Sequence, residues 1–164
     1  MNNKKLKIAP IIKIIIIFML CSFIFGVLLA LKINVTETVT KSNSSFIEIM
    51  FFTFMMNFWY ILLIWHFGKI KGVFLLCYFL VFLKCFFLGI TFLVNLKALH
   101  ILSFLKYFIT DLVILFPLYI VMLYDVSLYN FYEQKQYSSI KQIIVYLILV
   151  LVYSLLCSII GSTI

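Results

Sequence analysis

Arginine is absent from this 164-residue chain; all 13 basic residues are lysines. Acids are scarce, at five, and there are five glycines, two prolines and two histidines. Each shortage excludes something. The net charge of +8 comes without an arginine-rich arm or a basic helix, so a nucleic-acid partner is not expected. In a greasy chain such an excess reads as cytoplasmic loops and contacts with anionic lipid. The few glycines form no phosphate-cradling loop, and neither G-x-S-x-G nor H-E-x-x-H occurs. The four cysteines, Cys21, Cys77, Cys85 and Cys157, make no C-x-x-C pair, and no histidine lies at metal-ligand spacing. They read as small buried hydrophobes, with no metal or cofactor implied.

What fills the chain is hydrocarbon. Hydrophobic residues make up 66% of it, charged residues 11%, and the mean hydropathy is +1.26. A soluble domain is about half apolar and about a quarter charged. The expectation is one polytopic, all-α integral membrane domain over residues 1–164, with no soluble catalytic module. The preference for Lys over Arg, with abundant Phe, Ile and Asn, suggests a low-GC bacterium as source.

Five apolar runs set the layout: 11–31, 46–67, 72–94, 101–124 and 143–160. Each is close to the roughly 20 residues that cross about 30 Å of hydrocarbon. Helices are expected, because backbone groups inside lipid must satisfy one another. The first run is too long for a signal-peptide core and offers no small-residue cleavage site, so it reads as an uncleaved span. Asn34–Ser45, "NVTETVTKSNSS", is a polar loop. Gly68–Gly72 is a tight turn, and Asp125–Gln142 reads as a tyrosine-rich loop. With the N-terminus cytoplasmic, the inner side holds Lys4, Lys5, Lys7, Lys13, Lys69, Lys71, Lys135 and Lys141. The outer side holds Lys32, Lys41, Lys97 and Lys106. That bias favours N-terminus inside and, with five spans, C-terminus outside. No internal repeat is visible, and five spans suit an inverted repeat poorly.

Lys84 is the exception inside the third run. A lysine at mid-bilayer costs about 2.5–3.5 kcal/mol on insertion scales, so it should face protein and find a partner. It lies ten residues before Val94, and Asp111 lies ten residues after Ile101. In antiparallel neighbours these depths match, at about 15 Å from the outer edge. A Lys84–Asp111 pair is expected, as a register-fixing tie or as part of an ion path. Thr91 and Asn95, seven and eleven residues on from Lys84, and Cys77, seven before it, should share its face. Tyr107 precedes Asp111 by four. Pro117 removes the bond to the Val113 carbonyl and should kink the fourth span just beyond Asp111.

Catalysis is not expected. Asp111 is the only carboxylate placed within a span; Glu48 sits at a membrane edge, and Glu37, Asp125 and Glu133 lie in loops. No two acids are set for general acid–base work. Ser154 and Ser158 line one face of the fifth run with no histidine in reach; such serines usually bond backbone or neighbouring helices.

The stretch Phe79–Asn95, "FLVFLKCFFLGITFLVN", resembles the third-span signature of the stage II sporulation protein M family. The matching residues are Phe82, Lys84, Gly89, Thr91, Leu93, Val94 and Asn95. Asn57 and Gly68 resemble the family's Asn and Gly in the second span. Leu112–Val121, "LVILFPLYIV", resembles its proline-bearing segment, with Pro117 as the proline. Order, spacing and five-span layout agree from about Phe46 onward. The chain departs in having Cys85 after the lysine and Phe92 in place of glycines. It also has no acid in its last span, and Asp111 has no counterpart in the family pattern. The resemblance implies a non-enzymatic scaffold in the mother-cell septal membrane during forespore engulfment. It further implies that the chain anchors the peptidoglycan-degrading stage II sporulation proteins D and P. A permease-type subunit of a small transporter, with Lys84 and Asp111 along a path, is the competing expectation.

Overall fold

The structure is a computed structural model that describes residues 8–32, 45–98, 105, 108–132 and 140–162. Among these the regular structure is helical, and no strand occurs. The helices are α1 (Ile8–Lys32), α2 (Phe46–Phe67), α3 (Leu75–Ala98), α4 (Phe116–Tyr132) and α5 (Ile140–Ser162). A π-helical turn, Asp111–Leu115, leads directly into α4. Five helical stretches are long and apolar enough to cross a membrane: Pro10–Lys32, Phe46–Phe67, Leu75–Val94, Phe108–Phe131 and Lys141–Ile160.

Apolar side chains fill the interior and also cover the outside of the bundle. Large apolar residues lie outside, with Ile47 69% exposed and Phe52 67%. The hydroxyls and amide of Ser22, Asn57, Ser127, Ser154 and Ser158 are buried. Helices apolar all round, with small and polar residues turned inward, have the length and composition of membrane spans.

Local chemistry sets the ends of α2. Ser45 caps it: the Glu48 N–H donates to Ser45 Oγ at 3.3 Å, and the Ser45 N–H donates to Glu48 Oε2 at 2.8 Å. This reciprocal box, typically worth about 1 kcal/mol, gives Glu48 its role. At the other end the Gly68 N–H donates to the Ile64 carbonyl at 2.9 Å. The chain then turns through Gly72, whose φ of +90° suits glycine. That turn delays α3 to Leu75, three residues after the expected start of the span.

α1 packs along α3, and α2 along α5. α4 lies between the pairs, touching α1, α2 and α3, while the π turn touches α5. The α1–α3 seam is close enough to exclude a methyl group. A Cβ on Gly26 would lie 2.1 Å from the Phe86 carbonyl oxygen, and one on Gly89 would lie 2.2 Å from that of Phe23. Ser22 and Ala30, four residues either side of Gly26, are also buried, and Ser22 Oγ donates across the seam to the Phe82 carbonyl at 2.6 Å.

Two expectations need correction. The fourth span does not end at Tyr124, and Asp125 does not open a loop; the helix continues to Tyr132. The polar residues there have partners on other helices or on the α2–α3 turn. Asp125 Oδ2 accepts from the Tyr146 hydroxyl at 2.5 Å, and Ser127 Oγ meets the Tyr78 hydroxyl at 2.5 Å. Asn130 Nδ2 donates to the Gly68 carbonyl at 2.9 Å. The rest of the expected loop, 133–139, lies outside the described residues, as do the N-terminal tail and most of the loop 34–45. The irregularity expected at Pro117 is present, but as a π turn on its N-terminal side. The Phe116 N–H reaches back five residues to the Asp111 carbonyl, which shifts the hydrogen-bond ladder just before the proline.

Candidate functional site: a polar cluster inside the bundle

Four helices and the π turn bring polar groups together: Asn57, Cys85, Tyr119, Tyr153 and Cys157 are buried, and Tyr60, Lys84 and Asp111 are partly accessible. α2 supplies Asn57 and Tyr60, α3 Lys84 and Cys85, the π turn Asp111, α4 Tyr119, and α5 Tyr153 and Cys157. Tyr119 is 1% exposed and donates to Asn57 Oδ1 at 3.3 Å. The Asn57 amide turns its own donor back to the Thr53 carbonyl at 2.8 Å. Together these bonds tie α4 to α2 at mid-depth. Tyr153 donates from α5 to Asp111 Oδ1, tying α5 to the π turn.

Lys84 sits on the flank of α3, beside the buried Val81 and Cys85. Its ammonium lies 5.1 Å from the centroid of the Tyr60 ring, within cation–π range. It is close enough to Asp111, Cys85 and Cys157 to interact with them electrostatically. The expected direct pair is corrected in one respect. The Asp111 carboxylate takes its hydrogen bond from Tyr153, while Lys84 stands in the same field without ion-pair contact. Tyr153 fills the partner role that spacing alone had assigned to the lysine.

The other marked residues divide. Asn57 belongs to the cluster. Pro117 closes the π turn that presents Asp111. Gly89 lies in the α1 seam, not in the cluster. Thr91 is exposed and bonds its own helix, donating to the carbonyls of Phe87 at 3.0 Å and Leu88 at 3.1 Å. Cys77 is buried near the α2–α3 turn, where its thiol donates to the Ile64 carbonyl at 3.3 Å. The Asn95 side chain and Tyr107 lie outside the described residues.

Sequence reasoning did not find Tyr119, Tyr153 or Tyr60. A tyrosine in an apolar run carries little signal, because its ring fits lipid and core alike. It also passed over Gly26, although Ser22-x-x-x-Gly26-x-x-x-Ala30 is the small-residue pattern of close helix pairs.

Chemically the cluster offers one amine, one carboxyl group, one carboxamide, three phenols and two thiols. Among the described residues no three His, Cys, Asp or Glu side chains are gathered to hold a metal. At the α2–α3 turn, Lys69 Nζ lies 3.1 Å above the Trp65 ring, and burial lowers its affinity for the proton. No protein-family model, curated protein or solved structure matches the chain.

Proposed function

We propose that this protein is a five-span membrane scaffold of the stage II sporulation protein M kind, with its N-terminus cytoplasmic and its C-terminus outside. In this reading it has no catalytic activity. It anchors peptidoglycan-degrading partners, stage II sporulation proteins D and P by resemblance, at the bacterial septal membrane during forespore engulfment. The observation that carries the reading is how the interior polar groups are used. Ser22, Tyr119, Tyr153, Tyr146, Tyr78 and Asn130 each engage a group on another helix or on the α2–α3 turn. A bundle cross-tied in this way suits a rigid platform. Two residues of the resemblance have matching structural reasons: Gly89 permits the α1–α3 approach, and Asn57 holds Tyr119.

Deleting the gene in its host and imaging sporulating cells with a membrane dye tests the proposal. The expected result is septa that stay flat and fail to migrate around the forespore, restored by the wild-type gene. Normal engulfment and spore yield in a strain without a second copy would contradict it.

The transporter reading draws on one observation, the Lys84 ammonium in the electrostatic reach of Asp111. A neighbouring ATPase gene and a solute-uptake defect in the deletion strain, with engulfment intact, would favour that reading.

A further inference from the structure

We infer that Lys84 is a docking point within the membrane for a carboxylate on a partner's transmembrane helix; the inference rests on the scaffold reading. It is carried by what Lys84 lacks. An ammonium has three N–H donors and no acceptor capacity. Among the described residues, Lys84 has an aromatic ring 5.1 Å away but no hydrogen-bond acceptor and no carboxylate within ion-pair distance. The acid that spacing had assigned to it accepts from Tyr153 instead.

The Lys84 side chain is also not fully enclosed. Among the described residues, the sealed polar side-chain atoms left without a partner are Trp65 Nε1 and Asn130 Oδ1, and the Lys84 ammonium is not among them. Its residue is partly accessible, between the buried Val81 and Cys85 on one side and the exposed Phe87 on the other. Four residues beyond Phe87, Thr91 is exposed on the same flank with its hydroxyl turned to its own backbone. The edge of α3 thus offers an apolar strip with a single cation at mid-depth. In hydrocarbon a cation without an acceptor is costly, and water is not at hand to serve it.

The complementary surface is an apolar helix with one Asp or Glu near its centre. Charge picks the residue, and the depth of Lys84 sets its register. A second copy of this chain is a poorer match, because its in-span acids, Asp111 and Asp125, already accept from Tyr153 and Tyr146.

The test uses the full-length protein in neutral-lipid vesicles. Binding is read by energy transfer to labelled poly-leucine transmembrane peptides with a central Glu, Gln or Leu. The Glu peptide is expected to bind roughly tenfold more tightly than the Gln peptide. That preference should vanish in Lys84→Met and survive in Lys84→Arg. Lys84→Met removes a charge from hydrocarbon, and helicity and melting compared with wild type confirm its fold. Equal binding of the Glu and Gln peptides, or a Glu preference that persists in Lys84→Met, would overturn the inference. So would loss of the preference on adding anionic lipid or acetate, since Lys84 would then be a headgroup or small-anion site. The peptide assay does not depend on the engulfment phenotype, so the docking site and the scaffold role fail separately.

Discussion

The α1–α3 seam and the polar cluster hold helices together by different means. In the seam, backbone meets backbone: the Gly26 and Gly89 positions leave no room for a methyl group, and among the described residues one hydroxyl bond, Ser22 to Phe82, crosses it. In the cluster, helices stand further apart and long side chains span the gap, with Tyr119 reaching Asn57 and Tyr153 reaching Asp111. In a membrane, where lipid tails are as apolar as leucine, neither region would gain much from hiding hydrophobic surface. One relies on dispersion at close range, and the other on polar groups with no better partner nearby. The seam is therefore sensitive to size and the cluster to chemistry.

Substitutions at the seam should break that contrast most severely. Gly26→Leu or Gly89→Leu would force a side chain into a backbone carbonyl 2.1–2.2 Å from its Cβ. The expected result is loss of the folded protein in detergent, seen by size-exclusion chromatography and protease sensitivity. Even Gly→Ala at either site should cost about 1–3 kcal/mol through overpacking. In the cluster, Tyr153→Phe keeps the size and removes the donor, leaving Asp111 without its hydrogen bond. A loss of about 1–3 kcal/mol is expected in denaturant unfolding. Asp111→Asn combined with Tyr153→Phe should cost less than the sum of the single changes. Ser22→Ala tests the one polar bond in the seam, and a loss of about 0.6 kcal/mol is expected, the typical size for such bonds in membranes. Thr91→Ala should change stability by less than about 0.5 kcal/mol, because its hydroxyl bonds only its own helix. If Ser22→Ala proved as damaging as Gly26→Leu, the division between close packing and polar ties would be wrong.

The helices were legible from composition and length. The second span falls at Phe46–Phe67, as its apolar run predicts, while the Ser45–Glu48 box that starts it was not read from the sequence. The end of the fourth span was not legible. Asp125, Ser127 and Asn130 look like loop residues until Tyr146, Tyr78 and the Gly68 carbonyl are seen opposite them. Polarity along a chain records the residue and not its partner. The same limit applies to Lys84 and Asp111. The cost of a charge in hydrocarbon places both inside, but the choice between Tyr153 and Lys84 as the hydrogen-bond partner of Asp111 depends on packing. The π turn was half legible: Pro117 signals a break, while the side on which the ladder shifts is a property of the assembled bundle.

The central claim is a platform that crosses the membrane five times with its N-terminus inside. It is tested most directly by labelling single introduced cysteines in intact cells with a membrane-impermeant maleimide. The parent chain serves as the blank, since its four cysteines all lie within helices expected to be in lipid. Asn43→Cys and Thr163→Cys should label from outside, and Lys71→Cys only after permeabilisation. Labelling of Lys71→Cys in intact cells, or of Asn43→Cys and Thr163→Cys on opposite sides, would contradict the account.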